Sequence, residues 1–151
     1  MFCFQCEQTD AGTGCKIEGV CGKQPSTSAL QDLVVHSLKG TGWYASECSR
    51  MGMNVDHVNR QISETLFSTL TNVNFDDSRF VKYLGDLETT NQELRAAYAK
   101  LGGTGEPPAF FKPMSLGNKS VEELEEMGRK VGVLSRKDVI KNDNILGLQE
   151  P

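Results

Sequence analysis

The chain has 151 residues, of which 38% are hydrophobic and 24% charged, a size and composition typical of one globular domain. Its formal net charge of −4 argues against a nucleic-acid-binding protein, because such proteins cluster Lys and Arg on one surface. Its apolar runs all fall short of the roughly 20 residues that a membrane-spanning helix needs. We therefore expect neither nucleic acid nor membrane as a partner.

Four of the five cysteines lie near the N-terminus, where Cys3, Cys6, Cys15 and Cys21 form a C-x2-C-x8-C-x5-C pattern in a glycine-rich loop. Clustered thiols of this kind are typical of an iron–sulfur cluster, a zinc site or a pair of disulfides. No charged segment followed by an apolar segment marks a secretory signal, and the loop begins at the third residue. We therefore expect a cytoplasmic protein, in which metal is favoured over disulfides.

The spacing favours an iron–sulfur cluster over zinc and leaves both open. Structural zinc sites usually combine two C-x2-C pairs, and only the first pair here has that spacing. An iron–sulfur cubane accepts uneven spacing because each thiolate binds a different iron. Glycines between the ligands allow backbone N–H groups to turn toward an anionic cluster. Phe2 and Phe4 flank the first ligand, where they would either shield a cluster or serve as ordinary packing residues.

The segment after the loop predicts a first helix. Ser28 and Gln31 have the spacing of a capping box, which places the helix start close to them. Apolar residues recur at helical spacing from Leu30 to Leu38. The two glycines that follow would either end this helix or weaken a longer one that continues to about Met51.

Two further helices follow, each with an asparagine as its candidate cap, Asn54 for the second helix and Asn74 for the third. The second helix has one apolar stripe: Val55, Val58, Ile62, Leu66 and Leu70. The third has the clearest periodicity in the chain: Phe80, Leu84, Leu87, Asn91, Leu94, Tyr98 and Leu101. Gly102 and Gly103 end it.

These patterns predict an all-α fold, an antiparallel three-helix bundle with the cysteine loop at one end and a short helical C-terminal appendage. We divide the chain into a cysteine-rich, cluster-binding loop over 1–25, the bundle over 26–103, and a loop with short helices over 104–151 that leads to an absent remainder. In the last part, Ser120 and Glu123 form a second candidate capping box.

Three other residues are interpreted without a role in metal binding. Cys48 lies outside the cysteine loop and is predicted to be a packing thiol. His36 and His57 have no Cys, His or carboxylate beside them at the spacing of a metal site, so neither is predicted to be a ligand.

The segments MFCFQCEQTD and GCKIEGVCGK, followed by LQDL and later by LFSTLTNVNFD, resemble the N-terminus of the hybrid-cluster proteins, also called prismane proteins or hydroxylamine reductases. The resemblance is strong to about residue 40 and clear over 62–84. It implies that Cys3, Cys6, Cys15 and Cys21 bind a [4Fe-4S] cluster, through which electrons pass to the reduction of hydroxylamine or nitric oxide.

Members of that family are several times longer, and their hybrid cluster is held in later α/β domains that this chain lacks. We therefore expect no catalytic residues and no reductase activity in the chain alone. The implied partners are a redox donor protein and the missing catalytic domains, in the same or another chain, and a homo-oligomer is compatible with the sequence.

Two alternative functions remain. One is a zinc-stapled helical interaction module. The other is a split subunit that completes a reductase with another chain, which exposed apolar surface around Ile145, Leu146 and Leu148 would favour.

Overall fold

The computed structural model describes residues 1–149, so Glu150 and Pro151 of the predicted C-terminal part lie outside the described residues. The five α-helices are α1 (Pro25–Arg50), α2 (Asp56–Ser68), α3 (Asp77–Lys100), α4 (Val121–Val131) and α5 (Asp143–Gly147). Within 1–149 there is no strand, and one isolated bridge pairs Cys3 with Cys15. The all-α helical bundle predicted from the sequence is confirmed.

Helix α1 is central and packs against α2, α3 and α4. It continues through both of its glycines to Arg50, as the longer of the two predicted versions required. The first core cluster combines residues of α1, α3, α4 and the loop before α4: Leu30, Leu33, Val34, Leu38, Phe80, Leu84, Leu87, Leu116 and Leu124. Burying each such side chain contributes about 1.5–3 kcal/mol, which makes this cluster a principal source of stability.

A second core cluster closes the other end of the bundle with side chains from α1, α2 and α3. The rings of Trp43, Tyr44 and Tyr98 meet edge-on, with centroids 4.9–5.8 Å apart. The buried thiol of Cys48 donates a hydrogen bond to the carbonyl oxygen of Leu94 at 3.7 Å. Cys48 is therefore a packing residue, as predicted.

The predicted short helical appendage is present as α4, and it packs closely on α1. The capping box that opens it is confirmed: the Ser120 hydroxyl accepts from the Glu123 N–H, and the Glu123 carboxylate accepts from the Ser120 N–H. Leu124 is buried, and a Cβ atom at Gly128 would lie 1.9 Å from the carbonyl oxygen of Ala29. A glycine at this point is what lets the two helix backbones approach.

The predicted capping box at the start of α1 is wrong. The helix begins at Pro25 with Gln24 as its N-cap, and the Ser28 N–H donates to the Gln24 carbonyl oxygen at 3.0 Å inside the first turn. The physical reason is that proline fits the first helical position. A backbone N–H at that position has no partner within the helix, so its absence from proline loses no hydrogen bond.

Asn54 and Asn74, the predicted caps of α2 and α3, are not the N-cap residues of these helices. Asn54 and Asn74 each accept a hydrogen bond two residues ahead, from the N–H groups of Asp56 and Asp76. The residue at the α3 cap is Asp76 itself, whose carboxylate accepts from the Ser78 N–H at 3.0 Å. Both asparagines thus form the turn before the helix rather than its cap.

The predicted apolar stripe of α2 is only half correct. Val55 and Val58 are 6% and 1% exposed, whereas Leu66 and Leu70 are 37% and 36% exposed. The buried face of the last turn carries Thr65 and Ser68 instead of Leu66, and Leu70 lies beyond the end of the helix. The stripe of α3 is buried throughout, except for Leu101, which lies just past the last helical residue. Gly102 follows with φ of +91°, the left-handed conformation that ends helices.

Candidate metal centre

The ligand loop is closed by backbone pairing between two of the predicted ligand residues. The Cys3 N–H donates to the Cys15 carbonyl oxygen at 3.0 Å, and the Cys15 N–H donates to the Cys3 carbonyl oxygen at 2.8 Å. Between them, a short 3₁₀ turn at Asp10–Gly12 reverses the chain, with Gly12 and Gly14 in the left-handed region. This pairing fixes the first and third cysteines side by side.

A second tight turn holds the fourth cysteine. The Gly19 N–H donates to the Lys23 carbonyl oxygen, and the Gly22 N–H donates to the Gly19 carbonyl oxygen, both at 2.8 Å. A Cβ atom at Gly19 would lie 3.0 Å from the Sγ atom of Cys21. The close approach of backbone and sulfur therefore favours glycine at position 19.

All four cysteines of the loop line one cavity of about 350 Å³. Cys15 is buried, Cys3 and Cys6 are half-buried, and Cys21 is exposed, so the cavity opens to solvent on the Cys21 side. Its volume is an order of magnitude above the roughly 30 Å³ that one water occupies in the liquid. None of the five cysteines forms a disulfide.

The connection between α2 and α3 completes the wall of the cavity. Thr71 and Asn72 line it, and the Gln5 side chain donates to the carbonyl oxygen of Thr69 at 3.2 Å. At the opposite side of the loop, Lys16 forms an ion pair with Asp143 of α5 at 2.7 Å. The loop is thus attached to the α2–α3 connection and to α5, two points distant in sequence.

A buried lysine, Lys23, contacts the sulfur atom of Cys3. Lys23 is 2% exposed, lines the cavity, and donates from its Nζ atom to the Sγ atom of Cys3 at 3.6 Å and to the Gln5 side-chain oxygen at 3.0 Å. An ammonium group favours the thiolate form of a nearby cysteine, the form that binds metal. The electrostatics of the cavity therefore suit an anionic group.

The residues present fit an iron–sulfur cluster by their chemistry. Four thiols are the usual ligands of a cubane, and the cavity provides room beyond that of one ion. The buried hydroxyl of Thr9, which also lines the cavity, has no hydrogen-bond partner among residues 1–149. Within the same range, no group of three or more His, Cys, Asp or Glu side chains is arranged to hold a single metal ion.

The two phenylalanines of the loop serve as packing residues. Phe2 is 4% exposed and packs with Val133 and Leu146, while Phe4 is partly buried against the same cluster. The described residues that line the cavity do not include either ring. Leu146, which one alternative placed on an exposed apolar surface, is instead fully buried beneath Phe2, whereas Ile145 and Leu148 are 49% and 85% exposed.

Several residues of the site were not found from the sequence. No spacing pattern includes Lys23, Gln5, Thr9 or the α2–α3 connection. A lysine or threonine in a polar loop is usually predicted to be a solvated side chain. The only sequence signal for Lys23 is its position two residues after Cys21. The contact of Gln5 with Thr69 spans 64 residues and could not be inferred without the fold.

The two histidines lie away from the cysteines in the chain. Burial lowers the pKa of His36 below its ordinary value of 6.5, against the opposing effect of a hydrogen bond to the Lys112 backbone. His57 is exposed in the first turn of α2. In the part of the chain that the structure describes, no helix has both the length and the apolar character that crossing a membrane demands.

Comparison with known proteins places this architecture. The model of the Prismane/CO dehydrogenase family matches residues 1–150. The chain belongs to this family. Its relatives in the family include hydroxylamine reductases, each of which it matches over only part of the relative.

The hydroxylamine reductase of Methanocella arvoryzae is 43% identical over 153 residues, which cover 99% of this chain and 27% of the relative. That of Syntrophobacter fumaroxidans is 42% identical, with 92% of this chain and 26% of the relative covered. That of Maridesulfovibrio salexigens is 50% identical over 97 residues, 64% of this chain and 18% of the relative. The chain spans about a quarter of the length of the first two relatives.

Proposed function

We propose that this member of the Prismane/CO dehydrogenase family binds one [4Fe-4S] cluster through Cys3, Cys6, Cys15 and Cys21 and transfers single electrons. The observation that supports the proposal is one cavity that is lined by all four cysteines whose spacing predicted them as ligands. When bound, such a cluster supplies one-electron oxidation and reduction.

Several residues of the chain would each contribute to holding such a group. The backbone pairing of Cys3 with Cys15 orients two of the proposed ligands. Lys23 places positive charge beside Cys3, and the hydroxyl of Thr9 is available as a donor to sulfur. The buried side of the cavity at Cys15 excludes water, and the open side at Cys21 gives access to an electron donor.

We extend the proposal to partners and location. Ile17 and Val20 are 84% and 65% exposed on the same loop as Cys15 and Cys21, which makes this face the approach for a redox donor protein. Because relatives that carry the name hydroxylamine reductase are about four times as long, the electrons would serve domains beyond this segment, in the same or another chain. A cytoplasmic location and a cubane rather than another cluster type are parts of the same proposal.

The test is metal analysis of the chain purified without oxygen. We expect about four irons and four acid-labile sulfides per chain, with broad visible absorption. A chain that contains zinc without sulfide would instead be the zinc-stapled interaction module, and the electron-transfer proposal would be wrong.

Paired cysteine variants test the ligand assignment. We expect Cys15→Ser to lose most of the iron and sulfide, because it removes the most buried ligand. The matched control is Cys48→Ala, which removes a buried cysteine that contacts Leu94 and should keep the full content. Equal iron and sulfide in the two variants would contradict the assignment.

A further inference from the structure

Lys23 is an unusual residue to bury, because its side chain carries an ammonium group and is 2% exposed. Among residues 1–149 it forms no ion pair with a carboxylate, although Asp32 lines a small cavity together with it. Burying an ammonium group without a counter-charge is strongly unfavourable. Its Nζ atom donates to the Cys3 sulfur at 3.6 Å and to the neutral side-chain oxygen of Gln5 at 3.0 Å.

A thiolate on Cys3 would supply a negative charge in contact with the ammonium group, and a bound anionic cluster would extend that charge across the cavity. Gln5 holds the ammonium group in place, since its side-chain oxygen accepts from Lys23 while its nitrogen donates to the Thr69 carbonyl oxygen at 3.2 Å. The Thr71 hydroxyl donates to the same Gln5 oxygen at 3.5 Å. The cation is therefore fixed by a chain of hydrogen bonds that reaches the α2–α3 connection.

We propose that Lys23 is the residue that raises the reduction potential of the cluster, as a fixed positive charge on the Cys3 corner. This inference rests on the proposed function. Adding an electron makes the cluster more negative, so a nearby cation stabilises the reduced state more than the oxidised state. Because Lys23 is buried, solvent and salt screen this interaction far less than they would at the surface.

Lys16 provides a matched control within the same loop. It carries the same charge, but its side chain is 46% exposed and paired with Asp143. A charge at that position is screened by water and already compensated by a carboxylate. Removing it should leave the potential unchanged.

The experiment is an anaerobic redox titration of the cluster-loaded chain, followed by visible absorption, with iron and sulfide measured on every sample. For Lys23→Met we expect full cluster content and a more negative reduction potential. At a fixed solution potential, the ratio of reduced to oxidised cluster should fall about tenfold. For a one-electron couple this corresponds to about 59 mV. Lys23→Gln should shift in the same direction, and Lys16→Met should match the unsubstituted chain.

The outcomes separate this inference from the proposed function. A loaded Lys23→Met or Lys23→Gln chain with an unshifted potential overturns the role of Lys23 and leaves the cluster assignment standing. If Lys23→Met loses the cluster, Lys23→Gln decides, because it keeps an N–H donor while it removes the charge. An unsubstituted chain without iron and sulfide contradicts the proposed function and this inference together.

Discussion

Burial of His36 on α1 makes the stability of the bundle depend on pH. Desolvation lowers the pKa of this side chain below 6.5, so the folded chain binds its proton less readily than the unfolded chain does. The resulting stability is fully present above the unfolded pKa, and it is lost as the pH falls from there through the folded pKa. Nearby Lys39 and Arg136 act in the same direction as burial, because their charges disfavour a second cation.

We expect His36→Gln to weaken this dependence. Between about pH 7.5 and 5.5, the urea midpoint of the unsubstituted chain should fall by more than that of the variant, which cannot titrate. His57 is the only other histidine in the sequence and is exposed. His57→Gln is therefore the control, and it should retain the pH dependence of the unsubstituted chain. A His36→Gln chain as sensitive as the control would show that other groups cause the effect.

Residues differ in how far sequence alone could assign them. The four loop cysteines share a spacing that chemistry restricts to a few kinds of site, so they could be named as candidate ligands before the fold was known. Lys23 and Gln5 take part through contacts that only the folded loop creates, and their residue types are common on surfaces. A pattern detects the ligands of a site, whereas the residues that tune it depend on packing.

At the scale of elements, the contact between α1 and α4 depends on one missing side chain. A Cβ atom at Gly128 would meet the Ala29 backbone at 1.9 Å from its oxygen and 2.6 Å from its carbonyl carbon. A backbone neighbour cannot rotate away as a side chain could. The two helices would therefore have to separate, which would expose Leu124 at the core.

We expect Gly128→Ala to lower the free energy of unfolding by about 2 kcal/mol or more. Gly85→Ala is the matched control on α3, since a Cβ atom there has no neighbour within 4 Å. That change should raise the free energy of unfolding by about 0.5–1 kcal/mol, because alanine favours helix over glycine. Urea denaturation of both variants measures the difference. Equal effects of the two substitutions would contradict the close contact between α1 and α4.

The elements that the sequence predicted best are those with long, regular apolar spacing. Helix α3 shows this, since its apolar positions from Phe80 to Tyr98 are buried as expected. Prediction was weakest at helix ends, where one hydrogen bond decides the boundary. Ser28 failed as a cap because Pro25 already starts α1, and Leu70 failed as a core residue because α2 stops at Ser68. Boundaries depend on local competition between neighbours that periodicity does not record.

At the scale of the whole molecule, the chain spans only about a quarter of the length of the hydroxylamine reductases that it matches. The chemistry that we propose for it, electron transfer at four cysteines, does not require a substrate pocket. We therefore expect the 151-residue chain to accept electrons without reducing hydroxylamine.

This expectation is measured with a reduced viologen dye as donor. The loaded chain should oxidise about one equivalent of dye per cluster and then stop, with no further consumption on addition of hydroxylamine. The full-length hydroxylamine reductase of Methanocella arvoryzae is the positive control. Continuous oxidation of the dye by the 151-residue chain, in proportion to hydroxylamine, would show that it holds a catalytic site of its own.

The attachment of the cysteine loop to α5 has a consequence for biosynthesis. The loop is translated before α5, but Phe2 packs against Leu146, and Lys16 pairs with Asp143. At about 5–20 residues per second, the ribosome completes α5 roughly 6–25 s after it has made Cys21. During that interval the four thiols lack the contacts that Leu146 and Asp143 give to their loop. The cysteine loop is thus synthesised well before the residues that complete its native surroundings.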